Sequence, residues 1–322
     1  MRAPGPGMTV GMIVPGLVSG LLSCAPGAVS SDPPVTQADL RLFDYDAGAP
    51  LDIVESASRE EHGVLARDIT YASPKGGRVS ATLLAPASGA GRRAGILVLH
   101  GMPSSRAAVL PLASDLARAG AVCLAIDAPW ARADRIRQQP QPLTFTRRDR
   151  DEQIQLVIDM QRGIDLLIKQ PEVDPARLAY AGISYGAAMG GLLAGVERRV
   201  KAYALIVGDG GLVSHFTGSD DAAGPLQSIP LEQREAWLRD MSPIEPIRFI
   251  RRAAPAALLM QSGRRDRLIP VADAEAWHAA ASQPRQVLWY DADHGLNREA
   301  RKDMAAWLSR RVGIDQDKLT SE

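Results

Sequence analysis

The serine of the pentapeptide Gly182-Ile183-Ser184-Tyr185-Gly186 is the residue of this chain best placed to act as a nucleophile. An apolar run, residues 177–181, precedes it and a small-residue stretch, residues 187–195, follows it, which predicts a strand, a sharp turn and a helix. The flanking glycines have no Cβ to collide at such a turn, and the hydroxyl projects at the positive end of the helix. The pattern predicts that Ser184 attacks a carbonyl carbon and that the amide of Tyr185 stabilises the resulting oxyanion.

A serine hydroxyl is a weak nucleophile at neutral pH, so a base must lie within hydrogen-bond reach of it. His294 is the strongest candidate among the five histidines, because it follows the last predicted strand in a glycine-flanked loop. His278 falls inside a predicted helix and His62 in the N-terminal part of the chain. We therefore expect His294 to take the proton of Ser184.

The base in turn needs a carboxylate that holds its tautomer and stabilises its charged form. Asp266 is the first candidate, because it follows the predicted strand 256–261 in a tight Gly-Arg-Arg turn. Asp209 is its rival, since it follows the strand after the nucleophile, and the sequence leaves both open.

These residues belong to a chain in which strand and helix patterns alternate. The pattern predicts about eight strands, at 68–72, 78–84, 95–99, 121–126, 177–181, 202–207, 256–261 and 286–290. Helices are predicted at 110–118, 151–169, 187–195, 271–281 and 298–311. The alternation indicates an α/β fold with a mostly parallel central sheet and helices on both faces. Reactive groups in such sheets gather at the carboxyl ends of the strands, where Ser184, Asp266 and His294 all fall.

The order Ser184, Asp266, His294 on this chain resembles the α/β-hydrolase superfamily. The stretch Val173–Gly186, the pair His100-Gly101 and the segment Met241-Ser242-Pro243-Ile244 are similar to its dienelactone-hydrolase-like and prolyl-oligopeptidase-like serine esterase branches. The resemblance implies an α/β-hydrolase fold, ester hydrolysis and a second oxyanion donor at the amide of Met102. Dienelactone hydrolases proper carry a cysteine nucleophile, so Ser184 favours a general ester over dienelactone.

The substrate pocket is less clearly marked in the sequence. His100, Trp130 and His215 are candidates to line it, because they follow predicted strands or lie in the insertion after one. Residues 212–250 predict a small cap that carries several apolar side chains. The arginine-rich segment 132–150 lies either near the pocket mouth, where it would favour anionic groups, or on the solvated surface, which the composition favours.

The composition limits the ligands and partners to expect. The chain has 37 basic and 37 acidic residues, so its formal charge gives no reason to expect nucleic acid. Histidine and cysteine are too few and too poorly spaced for a metal motif, and Gly208–Gly211 lacks the lysine of a phosphate loop. We expect a small-molecule ester as the partner and neither cofactor nor metal.

Residues 1–31 read as an export signal, with Arg2 before an apolar stretch that ends in small residues. Leu21-Leu22-Ser23-Cys24 resembles a lipobox, which would place a lipid anchor on Cys24, while residues 25–31 offer ordinary cleavage sites. The rest, residues 32–322, is expected to form one hydrolase domain that is periplasmic or extracellular. The other cysteine, Cys123, lies in an apolar run, so no disulfide is expected within this domain.

Three functions remain open at this point. The first is a serine carboxylesterase, and the second is a single-domain peptidase or amidase that uses the same three residues. A peptidase would need groups that hold a substrate terminus, and the sequence does not locate them. The third is a binding protein on a hydrolase fold, which is disfavoured because all three members of the triad are present.

Overall fold

The computed structural model describes Met1, residues 33–218 and residues 224–320, and its strands form one sheet. In chain order they are β1 Val54–Glu61, β2 Val64–Ala72, β3 Arg78–Pro86, β4 Arg93–Leu99, β5 Val122–Ile126, β6 Val173–Ile183, β7 Ala202–Ile206, β8 Ala257–Gly263 and β9 Arg285–Tyr290. Their order in the sheet is β1-β2-β3-β5-β4-β6-β7-β8-β9. Strands β4 to β9 are parallel to one another, while β1, β2 and β3 pair antiparallel and join the sheet at β5.

Helices cover both faces of this sheet. They are α1 Gln37–Arg41, α2 Leu110–Arg118, α3 Ala133–Gln138, α4 Arg147–Ile168, α5 Tyr185–Val196, α6 Leu212–Gly218, α7 Gly224–Gln227, α8 Leu231–Met241, α9 Pro246–Phe249, α10 Val271–Ala280, α11 Arg298–Val312 and α12 Gln316–Thr320. Helices α4 and α5 pack on one face, and α2 and α11 on the other. None of the helices in the described ranges is long and apolar enough to cross a membrane.

The central strands contain unbroken apolar runs because each of their faces meets a separate core. Along β4, Leu97 and Leu99 pack with α4 and α5, whereas Ile96 and Val98 pack with α2 and α11. All four side chains are fully buried. Successive residues of a strand point to opposite faces, so a strand buried on both sides needs an unbroken apolar run.

The α/β-hydrolase fold expected from the sequence is confirmed, with nine strands in the described ranges where about eight were expected. The additional strand is β1, whose sequence Val-Glu-Ser-Ala-Ser-Arg-Glu-Glu is almost entirely exposed. It is held through backbone pairing with β2 at the sheet edge, so it has no apolar pattern by which to recognise it. The first strand expected, at 68–72, is also longer than predicted, since β2 begins at Val64.

The segments predicted as a cap and as an arginine-rich loop are both structured in the described ranges. Helices α6, α7, α8 and α9 fall within residues 212–250, and Trp237 of α8 packs edge-on against Phe145 and Phe216. The Trp237 indole donates to the Asp149 carboxylate of α4 at 2.8 Å, which ties the cap to the body of the protein. Within residues 132–150 the structure has α3 and the start of α4.

The predicted export segment, residues 1–31, lies outside the described residues apart from Met1.

Candidate active site

Ser184 lies at the turn between β6 and α5 in a backbone conformation that is rare for a residue with a side chain. Its φ is 55° and its ψ is −120°, and its amide donates to the Ile206 carbonyl at 2.8 Å. Its carbonyl accepts from the Ala187 amide at 2.8 Å, at the first turn of α5. A strained backbone at a solvent-accessible nucleophile is a recurrent feature of functional sites, and neighbouring structure must enforce it.

The two glycines of the pentapeptide let the neighbouring backbone segments pack closely enough to hold Ser184 in this conformation. A Cβ on Gly182 would lie 2.4 Å from the Gly186 carbonyl oxygen, and a Cβ on Gly186 would lie 2.5 Å from the Leu99 carbonyl oxygen. Both approaches are far below van der Waals contact, so β4, β6 and α5 meet here backbone to backbone. The Tyr180 hydroxyl donates to the Gly186 carbonyl at 2.5 Å and fixes the first turn of α5.

His294 follows β9 and is paired with Asp266, which follows β8. The His294 Nδ1 lies 2.7 Å from Asp266 Oδ2, and the side chains are 24% and 2% exposed, respectively. The other carboxylate oxygen, Oδ1, accepts from the amides of Leu268 and Ile269 at 2.8 and 3.0 Å. Burial alone would raise the pKa of Asp266, but these hydrogen bonds from His294 and the two amides outweigh it and leave the pKa lowered.

The rival acid, Asp209, is paired with a different histidine. Its Oδ2 lies 2.9 Å from Nδ1 of His215, and its Oδ1 accepts from the Gly211 amide at 3.1 Å. Two histidine–aspartate pairs thus lie at the carboxyl edge of the sheet within the part of the chain that the structure describes, and Asp266 is the aspartate that meets His294.

The two predicted oxyanion donors lie beside Ser184. Met102 follows β4, and a Cβ on the adjacent Gly101 would lie 3.2 Å from the Ser184 Cβ, so this loop runs directly past Ser184. In the ranges that the structure describes, the amides of Met102 and Tyr185 donate to no protein acceptor. Unpaired amides at such a position are suited to a developing negative charge.

A cavity of about 200 Å³ opens beside Ser184. Its lining is mostly apolar and includes one histidine and one aspartate; the residues are Met102, Gln153, Ser184, Tyr185, Ala188, Met189, Asp209, Gly211, Leu212, His215, Phe216, Pro246, Leu268 and Ile269. Residues from the cap, α4, α5 and the Asp266 loop thus share one small pocket. A cavity of this volume can hold a small ligand group of a few heavy atoms but not a long alkyl chain.

Of the three predicted pocket residues, the structure brings only His215 to this cavity. His100 is buried, with Nδ1 2.8 Å from the Gly101 carbonyl and Nε2 accepting from the Ala128 amide at 3.2 Å. Burial lowers the pKa of His100, and these bonds join the loops after β4 and β5. Trp130 does not line the cavity; it packs edge-on against His100 and against Tyr185, which does line it.

The predicted role of the arginine-rich segment at the pocket mouth finds no support, since none of residues 132–150 lines the cavity. The surface interpretation is also incomplete. Arg135 is buried and pairs with Glu152, and Arg132 pairs with the fully buried Asp159. With its charged side chains paired in this way, α4 is buried along most of its length, which the charged residues of its sequence did not indicate.

Several lining residues were not predicted, among them Gln153, Leu268 and Ile269. The signal for the last two was available, because they follow Asp266 and donate their amides to it. Gln153 carries no such signal, since it is one polar residue within a long helix. Among the described residues, no three histidine, cysteine, aspartate or glutamate side chains form a group that could hold a metal ion.

Comparison with known proteins agrees with this geometry. The model of the prolyl oligopeptidase family matches residues 146–314, just over half of the 322 residues, and this stretch includes Ser184, Asp266 and His294. Among curated proteins, none matches the chain.

Solved structures share the fold at low sequence identity. An acetyl xylan esterase from Paenibacillus sp. R4 is 20% identical with a TM-score of 0.69, over 85% of this chain and 92% of that one. Acetyl xylan esterase 1 from Thermoanaerobacterium sp. JW/SL YS485 is 16% identical with a TM-score of 0.69, over 85% and 93%. A cold-adapted esterase from an Arctic intertidal metagenomic library is 15% identical with a TM-score of 0.56, over 80% and 99%. At these identities the likeness establishes the fold alone.

Proposed function

We propose that this chain, which belongs to the prolyl oligopeptidase family, hydrolyses carboxylic esters through an acyl-enzyme on Ser184. The fold is that of the α/β-hydrolases, and the family consists of serine hydrolases. The observation that carries the finer proposal is the Asp266–His294 pair, which stands at the same sheet edge as the strained Ser184.

In this proposal His294 is the base and Asp266 orients it. With Nδ1–H donated to Asp266, the neutral ring leaves Nε2 unprotonated, so it can accept the Ser184 proton as Oγ attacks the ester carbonyl. The carbonyl oxygen becomes an oxyanion that the amides of Met102 and Tyr185 stabilise. Collapse breaks the bond to the alkoxy group, which leaves as the alcohol with the proton from His294.

Water completes the cycle by the same steps. His294 takes a proton from the water, the hydroxide attacks the acyl-enzyme, and Ser184 leaves with the proton returned from His294. The net reaction consumes one ester and one water and produces one acid and one alcohol.

The acidic residues near the cavity favour an esterase over a peptidase. A peptidase that holds a free amino terminus needs carboxylates available to the substrate, and three acids near the cavity come into question. Asp209 is already bonded to His215 and the Gly211 amide, and Glu245 accepts from the amides of Val213 and Ser214. The third, Asp273, has its unpaired Oδ2 buried, out of reach of a substrate. Three of the structural neighbours are esterases, which supports the same choice.

Two measurements test the proposal. A fluorophosphonate probe should label the protein once, and Ser184→Ala should abolish the label while folding is retained. The enzyme should hydrolyse p-nitrophenyl acetate and butyrate faster than the long-chain esters and faster than aminoacyl-p-nitroanilides. Faster anilide cleavage would favour the peptidase, and labelling of the Ser184→Ala variant would overturn the assignment of the nucleophile.

We further propose, on the sequence pattern alone, that residues 1–31 direct export and that the working partner is a small-molecule ester. Lipidation of Cys24 would place the protein in the membrane fraction, and Cys24→Ser would release it. Plain secretion gives soluble protein in both cases, whereas protein from the native host that begins at Met1 in the cytoplasm would contradict export.

A further inference from the structure

The second histidine–aspartate pair, His215 with Asp209, lies in the wall of the cavity that contains Ser184. The side chains are 28% and 8% exposed, so the aspartate is buried behind a histidine that reaches the cavity. His215 also packs edge-on against Phe216, which fixes the plane of its ring. The proposed hydrolysis already has its base in His294, so this second pair is left without a role in it.

The ring of His215 has one nitrogen available to a ligand. Its Nδ1 bonds to Asp209, and within the described part of the chain Nε2 has no hydrogen-bond partner. The hydrogen bond to Asp209 is the largest cause that raises the pKa of His215 above its ordinary value. In the protonated ring both nitrogens carry hydrogen, so Nε2 is a donor; in the neutral ring bonded to Asp209 through Nδ1–H, Nε2 is an acceptor.

The charged groups around His215 determine which kind of ligand acceptor can bind to its Nε2–H. Besides Asp209, Asp273 of α10 acts on it electrostatically, and the Asp273 Oδ2 is buried with no hydrogen-bond partner among the described residues. Burial raises the pKa of Glu245, which holds the start of α6, to about 8. Other titratable side chains lie on the helices packed against α6, and none of them hydrogen-bonds to His215; they are Glu275 and His278 of α10 and, on α8, Glu232, Arg234, Glu235, Arg239 and Asp240.

We propose that His215, held by Asp209, selects esters in which the group filling this cavity carries a neutral oxygen acceptor, such as an ether, a hydroxyl or a carbonyl. This inference rests on the proposed esterase function and names its substrate class. A carboxylate is a poorer fit, because Asp209 and Asp273 together carry more negative charge than His215 offsets. A plain alkyl group is also a poorer fit, because it would leave the Nε2–H of a partly buried histidine without a partner.

Pairs of esters that differ only by an oxygen in place of a methylene test this directly. On the acyl side the pair is p-nitrophenyl methoxyacetate and p-nitrophenyl butyrate, and on the alcohol side 2-methoxyethyl acetate and butyl acetate. For each pair the ratio of kcat/KM, oxygen compound over alkyl compound, is divided by the ratio of the hydroxide-catalysed rates. The side that fills the cavity is the one whose corrected ratio exceeds unity.

For that side we expect a corrected ratio of about 10 at pH 6. This factor corresponds to the free energy that one hydrogen bond from a charged donor contributes. The ratio should fall as the pH rises through the pKa of His215, because the neutral ring offers no proton at Nε2. His215→Leu should bring the ratio to about one, whereas His215→Gln, which keeps a donor that does not titrate, should retain part of it at every pH. Met189→Leu is the matched control, since it alters the wall of the same cavity from α5 and leaves His215 and Phe216 in place.

The possible results distinguish a failure of the proposed role of His215 from a failure of the proposed esterase function. Ratios near one for both pairs in an active wild type, or a ratio that His215→Leu leaves unchanged, would overturn the role of His215 alone. An equal loss in Met189→Leu and His215→Leu would show that cavity shape rather than the donor selects, which also overturns it. A folded wild type that cleaves none of the four esters would overturn the esterase proposal itself.

Discussion

Replacing Asp266 by asparagine should lower kcat for p-nitrophenyl acetate by about 10⁴-fold, although it changes only one atom of the side chain. The Oδ1 atom of Asp266 accepts from the amides of Leu268 and Ile269 at 2.8 and 3.0 Å. The amide oxygen of asparagine can keep both bonds, and its NH₂ group then points at Nδ1 of His294, which Asp266 Oδ2 now meets at 2.7 Å.

That NH₂ group is a donor, so it stabilises the tautomer in which Nδ1 is unprotonated and Nε2 carries the hydrogen. Such a ring cannot accept the proton of Ser184, and triads with this substitution lose about 10⁴ in kcat. A loss of that size corresponds to about 5.5 kcal/mol of transition-state stabilisation. Because the local hydrogen bonds survive, the melting temperature should change far less than the rate.

The assay is steady-state hydrolysis of p-nitrophenyl acetate, with active sites counted by a fluorophosphonate and folding checked by circular dichroism. Asp209→Asn is the matched control: it removes the same charge from the other histidine–aspartate pair, and acetate carries no additional oxygen for His215 to bind. We expect it to lose less than about tenfold, since it leaves the base untouched. A folded Asp266→Asn variant that keeps a tenth of wild-type kcat, or an Asp209→Asn variant that is equally inactive, would refute this reasoning.

Three further predictions follow from close contacts and burial. Gly263→Ala should lower kcat, because its Cβ would lie 2.5 Å from the Ala292 carbonyl oxygen in the loop that carries His294; wild-type kinetics would contradict this. Tyr180→Phe removes the hydroxyl bonded to the Gly186 carbonyl and should cost about 1–2 kcal/mol of unfolding free energy in urea titrations. Burial lowers the pKa of His278 to about 4, so between pH 6.5 and 4 the unfolded chain binds a proton that the folded chain does not. Stability should therefore fall by up to about 3 kcal/mol as the pH drops through that window, and less in His278→Gln.

Strands that are buried on both faces could be predicted from the sequence, whereas the exposed strand at the edge of the sheet could not. Strands β4 and β5 are continuous apolar runs, and helix α2 was predicted with the boundaries it has, because burial and a glycine stop leave clear patterns. Strand β1 leaves none, since backbone hydrogen bonds alone hold it. Arg132 and Arg135 looked solvated, because a sequence does not show that carboxylates such as Asp159 and Glu152 will pair with them.

The candidate site shows the same division. Ser184 and its two glycines could be identified because a sharp turn needs those residue types at that spacing. The role of His100 was harder to see, because a histidine that joins two loops and one that lines a pocket follow a strand in the same way. The pairing of Asp209 with His215 depends on how α6 folds back over the sheet, and the residue types of the cap do not reveal that geometry.

The choice between the two aspartates is made by the order of the strands. Asp266 follows β8 and His294 follows β9, which are neighbours with Gly263 opposite Tyr290 in the register. Their loops are bonded directly, since the amides of Arg264 and Arg265 donate to the carbonyls of Tyr290 and Ala292 at 2.8 and 2.9 Å. Asp209 follows β7, one strand further away, and the β8 loop stands between it and His294. An acid on the adjacent strand can orient the base through a short, rigid connection, so topology assigns Asp266 to His294 and leaves Asp209 free to hold His215.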